Sequence, residues 1–193
     1  MAAAPDATEG DVIDAAFVVV LVGAESTGKT TLAHAIGEKM QARGERVAVV
    51  DEALREFCDR HQRTPRRDEQ AGIAAEQARR IDAATASAAV VVADTSALMI
   101  AVYSDFVFAD RSLYADAEAT QRGYALTLCT SLDLPWQADG LQRDGAHVRA
   151  PVDALVRASL QRAGVDFRAV SGSGGDRLAN ALAAIDARRA SGR

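Results

Sequence analysis

The feature that most constrains this chain is the stretch Gly23 to Thr30, which reads Gly-Ala-Glu-Ser-Thr-Gly-Lys-Thr. It follows the apolar run Phe17 to Val22 and leads into a segment of helical periodicity from Thr31, so it joins a predicted strand to a predicted helix. Its glycines let the backbone curl so that successive N–H groups point inward, and the start of the helix adds the positive end of its dipole. The stretch therefore predicts a loop that binds a polyphosphate.

The residue types in this loop suit a phosphate ligand. Lys29 is placed to reach the terminal phosphates, and the Thr30 hydroxyl to complete the shell of a Mg2+ that bridges phosphate oxygens. We assign nucleotide contacts to Gly23, Glu25, Ser26, Thr27, Gly28, Lys29, Thr30 and Thr31. A chance match is the alternative. Only Lys29 and Lys39 are lysines among the 22 basic residues, so a composition this poor in lysine seldom fills the motif by accident.

The rest of the chain alternates short apolar runs with longer helical patterns. The apolar runs predict five strands, at residues 17–22, 47–50, 90–93, 126–129 and 167–170. Helices are predicted over residues 30–43, from 52, and over 68–87, 96–103, 115–122, 151–163 and 176–189. This alternation predicts an α/β fold with a five-stranded parallel sheet and helices on both faces.

The domain organisation follows from the same patterns. Residues 1–16 carry Asp6, Glu9, Asp11 and Asp14 but no basic residue, and we expect a flexible tail there. One domain is expected over residues 17–190. Within it, residues 131–150 lack clear periodicity and are expected to form a lid loop, because loops of this length are usually functional or disordered.

Composition argues against several classes of function. The net charge of −5 and the scattered arginines provide no basic patch for a nucleic-acid partner. No apolar run approaches the roughly 20 residues that span a bilayer. Cys58 and Cys129 lie far apart without a metal-binding pattern, which favours buried thiols in a reducing compartment. We expect a cytoplasmic protein that acts on a small molecule and binds neither nucleic acid nor membrane; its oligomeric state stays open.

Acidic residues follow two of the predicted strands. Asp51 and Glu52 come after the second strand and Asp94 after the third, and ligands of parallel sheets bind beyond the carboxyl ends of the strands. We assign Asp94 to Mg2+ binding together with Thr30, or to accepting the proton of an attacking hydroxyl. The alternative for Asp94 is a helix N-cap for the segment that begins near Ser96.

The predicted lid loop holds further candidates. Trp136 is the only tryptophan, and its ring is placed either to stack on an aromatic base or to anchor the loop in the core. Arg143 and Arg149 are candidates to lie over the transferring phosphoryl group, with simple solvation as the alternative. His34, His61 and His147 form no ligand pattern and receive no role.

Several segments recur in a known order over about Val18 to Ile185. They are Gly23 to Thr31, Glu52 to Phe57, Arg79 to Asp82, Asp94-Thr95, Trp136 with Asp139 to Leu141, and Asp176-Arg177. Together they resemble the nicotinamide riboside kinase domain of bacterial NAD-regulator proteins and related AAA-type ATPase-like proteins. These have the P-loop NTPase fold of nucleoside and nucleotide kinases. The phosphate loop is generic, whereas the E-x-x-R-E-F and W-x-x-D-G-L segments are much closer to this family.

The resemblance implies a kinase that uses ATP and Mg2+ to phosphorylate the ribose 5'-hydroxyl of nicotinamide riboside, giving nicotinamide mononucleotide. It places Lys29 and Thr30 at the phosphates and Mg2+, and Asp94 near the acceptor hydroxyl. On the substrate side it implies a set of four residues: Glu52, Arg55, Trp136 and Asp139. Taken together, the motifs and the resemblance predict three catalytic residues: Lys29, Asp94 and Arg143.

Two departures from the family bear on this expectation. The family usually reads Asp-Thr-Asp after the third strand, where this chain has Asp94-Thr95-Ser96. The family's fuller proteins also carry an adenylyltransferase domain, so a kinase here is expected to act alone. The rival interpretation is an ATP-dependent regulatory ATPase or switch that acts on a protein partner. GTP is disfavoured because Thr130 to Asp133 contains no lysine for a guanine-reading motif.

Overall fold

Runs of valine and other apolar residues form a parallel sheet in this protein. The computed structural model describes residues 15–137 and 145–192, and its sheet has the strand order β2-β3-β1-β4-β5. The strands are β1 (Phe17–Val22), β2 (Val47–Val50), β3 (Val90–Asp94), β4 (Leu126–Thr130) and β5 (Phe167–Val170). All four pairings between neighbouring strands are parallel, which confirms the predicted α/β architecture.

Helices make the connections between the strands. They are α1 (Lys29–Gln41), α2 (Ala53–His61), α3 (Gln70–Thr85), α4 (Ala97–Phe108), α5 (Tyr114–Arg122), α6 (Arg149–Ala163) and α7 (Gly174–Ser191). Single 3-10 turns, Arg67–Glu69 and Ala146–Val148, precede α3 and α6.

Alternate residues of the central strand β1 face two different apolar clusters. Val19 and Leu21 pack with α1 and α7, whereas Val18, Val20 and Val22 pack with the other helices. Helix α4 belongs to the cluster that contains Val18, Val20 and Val22. It is apolar on nearly all sides, with Ala97 to Val102 buried. Burial of β1 on both faces fixes the position of the loop that follows it.

Some predicted boundaries differ from the structure. The helix predicted from 68 begins as a 3-10 turn, and α4 continues to Phe108 rather than ending at 103. Pro151 does not open α6; it lies in the first turn of a helix that begins at Arg149, a position where proline's missing N–H costs little. The predicted lid loop therefore ends before residue 150. Of the predicted tail and lid, residues 1–14 and 138–144 lie outside the described residues.

Gly37 allows helix α1 to approach strand β2 closely. A Cβ at Gly37 would lie 2.5 Å from Cγ2 of Val49. We expect Gly37→Ala to lower the free energy of unfolding, because overpacking of this contact costs about 1–3 kcal/mol and outweighs the gain of about 0.5–1 kcal/mol in helix propensity. Gly72→Ala is the control. A Cβ there meets no described atom within 4 Å, so alanine should stabilise α3 by about 0.5–1 kcal/mol. Urea denaturation measures both; equal effects would contradict the packing argument.

Candidate nucleotide-binding site

The loop between β1 and α1 lies at the carboxyl edge of the sheet, between the ends of β3 and β4. Gly23 has a φ of 143°, and a Cβ there would lie 2.2 Å from the Thr130 hydroxyl at the end of β4. Ser26 and Gly28 also have positive φ, of 51° and 74°. Because side chains other than glycine rarely adopt this region, the curled backbone predicted from the sequence needs glycine at Gly23 and strains Ser26.

Thr27 ties the loop to β4 from within. Its side chain is fully buried, and its hydroxyl donates to the Ala24 carbonyl at 2.8 Å and accepts from the Thr130 hydroxyl at 2.7 Å. Lys29 extends over the loop, and its Nζ donates to the same Ala24 carbonyl at 2.9 Å. The lysine ammonium therefore lies against the backbone of the phosphate loop.

Thr30 and Asp94 are brought together as predicted for a metal site. The Thr30 hydroxyl donates to Asp94 Oδ2 at 2.5 Å, and Asp94 is only 1% exposed. The other carboxylate oxygen, Oδ1, is buried and has no hydrogen-bond partner among the described residues. An unpartnered buried carboxylate oxygen beside a hydroxyl is a donor set that suits Mg2+, so the residues present fit this ion.

Ser96, not Asp94, caps helix α4. Its hydroxyl accepts from the Leu98 N–H at 3.3 Å and donates to Gln121 at 2.7 Å, which in turn donates to Thr127 of β4. The alternative of Asp94 as the N-cap is therefore wrong, because the cap lies two residues later. Where the related family has a second acidic residue, this chain has a hydroxyl that joins α4 to α5.

Thr95, between Asp94 and Ser96, has a strained backbone conformation. Its φ is 80°, which is unfavourable for a β-branched residue, and its side chain is fully buried. The Thr95 N–H donates to the Leu21 carbonyl at 3.1 Å, which holds the turn against β1. Strain of this kind persists only where the surrounding structure enforces it and is concentrated at functional sites.

The segment after β4 covers the loop. The Trp136 indole donates from Nε1 to Glu25 Oε1 at 3.1 Å, and the Ser26 hydroxyl donates to the Gln137 carbonyl at 2.5 Å. Leu134 Cδ1 would lie 3.1 Å from a Cβ at Gly28. Trp136 is half-buried and contacts the loop, but it is not among the residues that line the cavity beside it.

A cavity of about 760 Å³ runs along this edge of the sheet. Loop residues Ser26 to Thr31 form its floor. On one side it is lined by Glu52 and Arg55, and on the other by Gly174, Gly175 and Leu178 at the start of α7. The cavity therefore reaches residues on both sides of the phosphate loop.

Glu52 and Arg55 lie at the start of α2. Their charged groups are 3.8 Å apart, and Glu52 Oε2 faces Arg55 Nε. The start of this helix is held by Gln77 of α3, which is fully buried. Gln77 Oε1 accepts from the Ala53 N–H at 2.7 Å, and its Nε2 donates to the Thr95 carbonyl at 3.4 Å. Gln77 thus links the helix that carries Glu52 to the turn that follows Asp94.

Two segments of the sequence resemblance pair with each other. Glu56 of α2 accepts two hydrogen bonds from Arg80 of α3, at 2.6 and 2.8 Å, and Glu76 also accepts from Arg80. The Arg80 guanidinium holds the pKa of Glu56 below its ordinary value. These residues fix α2 against α3 and lie outside the cavity lining.

The remaining predictions have different outcomes. Arg149 is 8% exposed and its Nη1 donates to the Leu134 carbonyl at 2.9 Å, so the alternative of simple solvation is wrong, and its role at the phosphoryl group stays a prediction. His34 is on the surface within 2.8 Å of Asp51. Asp139 and Arg143 lie outside the described residues, and their roles stay predictions.

The cysteines agree with the expectation of buried thiols. Both Cys58 and Cys129 belong to the apolar cluster that contains helix α4, and burial raises the pKa of Cys129 to about 11. In the described part of the chain no helix is long and apolar enough to cross a membrane, and no group of three or more His, Cys, Asp or Glu side chains is placed to hold a metal.

Sequence reasoning missed Gln77, Asp133 and the role of Arg177. Arg177 donates to the Thr27 carbonyl at 2.9 Å and to Asp133 at 2.8 Å. The only signal for Arg177 was its place in the resemblance, and nothing in the sequence separated Gln77 from the other polar residues of α3.

Comparisons with solved structures agree with this fold. Two crystal structures of NadR protein, one in complex with NAD and AMP-PNP and one with NR, each superpose with a TM-score of 0.73 at 19% identity. The two superpositions cover 91% and 90% of this chain. This chain spans about half the length of the NadR chains, 50% and 49%. Thymidylate kinase from Ehrlichia chaffeensis superposes with a TM-score of 0.64 at 14% identity, covering 90% of this chain and 99% of its own.

A comparison with curated proteins finds no match. A family model described as an AAA domain matches residues 18–177, which include the phosphate loop, Asp94 and Arg177. The resemblance read from the sequence is thereby confirmed at the level of fold. This chain belongs to that AAA-domain family and has the P-loop NTPase fold.

Proposed function

We propose that this protein is an ATP-dependent kinase that phosphorylates a hydroxyl group of a nucleoside-like small molecule, with nicotinamide riboside as the leading acceptor. The observation that carries the proposal is the single cavity that joins the phosphate loop to Glu52 and Arg55 on one side and to the start of α7 on the other. A kinase must bind two substrates in line across the transferring phosphoryl group, and this cavity has the corresponding arrangement.

The side chains then have the following roles. The loop N–H groups and Lys29 bind the phosphates of ATP, and Thr30 and Asp94 hold Mg2+. The ion supplies neutralisation of the charge on the β- and γ-phosphates. Glu52 accepts a hydrogen bond from the acceptor, and the Arg55 guanidinium beside it orients that carboxylate. No covalent intermediate is required, because positioning and charge stabilisation supply most of the catalysis in phosphoryl transfer.

The acceptor is suggested by the sequence resemblance and by the bound ligands of the structural neighbours, NAD and NR. Trp136 itself is outside the cavity lining, but its neighbours Pro135 and Gln137 line the cavity, so an aromatic base or pyridine bound beside them would need only a small movement to stack on the indole.

Mass spectrometry of the products tests the proposal. The protein is incubated with MgATP and nicotinamide riboside, with thymidine as a second acceptor and no acceptor as the control. Formation of nicotinamide mononucleotide supports the full proposal, and formation of thymidine monophosphate alone supports a kinase of different substrate range. ADP without any phosphorylated acceptor contradicts it for these acceptors and favours a regulatory ATPase.

We expect Trp136→Ala to raise the KM for the acceptor while leaving the KM for ATP nearly unchanged, because the stacking surface is lost. Trp136→Phe is the matched variant: it keeps a ring but removes the N–H that donates to Glu25. It should therefore retain most of the acceptor affinity. Steady-state kinetics measures both variants. Equal rises in both KM values for Trp136→Ala would assign the tryptophan to anchoring the segment instead.

A further inference from the structure

Arg177 joins three separate loops at the carboxyl edge of the sheet. It lies in the first turn of α7, is 4% exposed, and its guanidinium donates to four acceptors. Nη1 donates to Asp133 Oδ1 at 2.8 Å and to the Gly172 carbonyl at 2.7 Å. Nη2 donates to the Thr27 carbonyl at 2.9 Å and to the Ser131 carbonyl at 3.2 Å. One side chain thus connects the phosphate loop to the loops after β4 and β5.

The contact with Thr27 has a direct consequence for the phosphate loop. In a trans peptide the carbonyl and the following N–H point in opposite directions. Because Arg177 holds the Thr27 carbonyl, it also directs the Gly28 N–H away from α7. The Thr27 side chain is held independently by Ala24 and Thr130, so the peptide between Thr27 and Gly28 is the part whose orientation depends on Arg177.

We propose that Arg177 is a positioning residue that orients the Thr27–Gly28 peptide so that the Gly28 N–H is presented to a bound phosphate. The proposal rests on the proposed function in that the loop must bind a polyphosphate. It goes further by assigning part of that binding to a side chain outside the loop. Arg177 lines the same cavity, but its Nη1 and Nη2 donate to protein acceptors, so the effect that we assign to it passes through the backbone.

The surroundings explain why an arginine occupies this position. A buried cation needs acceptors for its donors, and the planar guanidinium serves several acceptors at once. Nη1 and Nη2 of Arg177 are satisfied, whereas its Nε has no partner among the described residues. Asp133 supplies the opposing charge, and its Oδ2 accepts from the Gly172 N–H at 2.6 Å. Arg177 holds the pKa of Asp133 below its ordinary value. The lysine ammonium is a single point charge and cannot bridge Asp133 and Thr27 in the same way.

Isothermal titration with MgATP and with magnesium tripolyphosphate tests the proposal, since neither measurement needs the acceptor. We expect Arg177→Met to weaken both ligands about tenfold or more, as loss of a well-placed hydrogen bond to a charged ligand does. Arg188→Met is the matched control. Arg188 lies in the same helix and also donates to a backbone carbonyl, that of Ala125 at 3.0 Å, but at the opposite edge of the sheet. It should leave both affinities unchanged.

The pair of ligands separates the possible outcomes. Loss of MgATP affinity with unchanged tripolyphosphate affinity would overturn the proposal, because Arg177 would then act through the loops beside the base. Unchanged affinity for both would also overturn it. If Arg177→Met does not fold, as judged by circular dichroism, Arg177→Lys replaces it, with the same weakening expected. A wild-type chain that binds neither ligand would overturn the proposed function itself, and this inference with it.

Discussion

Replacing Lys29 by alanine should lower the rate of phosphoryl transfer on the order of a hundredfold or more, because it removes a positive charge placed where negative charge develops. The Lys29 side chain already lies over the loop, with Nζ 2.9 Å from the Ala24 carbonyl, so it needs little movement to reach a bound phosphate. Its loss should affect turnover more than folding, since the lysine is only partly buried and its ammonium is held by the Ala24 carbonyl alone among the described residues.

Lys39→Ala is the matched control. Lys39 is the only other lysine of the chain, lies in the last turn of the same helix and is exposed. Turnover is measured with saturating ATP for both variants, and the urea midpoint shows whether each is folded. An active, folded Lys29→Ala protein would refute the assignment of this loop to phosphate binding.

Asp94→Asn should also reduce turnover about a hundredfold or more and raise the Mg2+ concentration needed for half-maximal activity. Asparagine has nearly the same shape and retains an oxygen that accepts from Thr30, but it removes the negative charge that binds the ion. Folding should be preserved, because the variant replaces a buried, partly unsatisfied carboxylate by a neutral group.

The control for Asp94 is Asp51→Asn, which changes the carboxylate at the end of the neighbouring strand β2. Asp51 is exposed and lies beside His34 rather than Thr30, so its variant should keep the wild-type Mg2+ dependence. A magnesium titration of activity compares the two. If Asp94→Asn changed turnover without changing the magnesium requirement, the carboxylate would act on the acceptor hydroxyl and not on the metal.

The strands and the phosphate loop were predictable because their signals are local. β1, β2 and β5 have their predicted bounds, since an unbroken apolar run between polar segments has one interpretation in a parallel sheet. The boundaries of α4 and α6 were less accessible. Ser104 and Asp105 interrupt the apolar pattern without ending α4, and Pro151 is tolerated in the first turn of α6.

The supporting contacts of the site were not predictable from one sequence. Arg177 and Thr27 are 150 positions apart, and Gln77 lies 24 positions from Ala53. Such contacts leave no periodic pattern, and only the fold reveals them. The contact of Arg149 was not predictable for the same reason: its partner, the Leu134 carbonyl, is a backbone group that no residue pattern identifies.

Because β1 is the central strand of the sheet, the residues that line the cavity fall into two groups, one on each side of the phosphate loop. Residues that line the acceptor side, such as Glu52 and Arg55, follow β2, whereas Leu134 and the start of α7 follow β4 and β5 on the other side. The phosphate loop lies between them and shares no strand with either group. If the proposed function is right, substitutions at the flank that carries Glu52 and Arg55 can change contacts to the acceptor without changing the residues after β4 and β5.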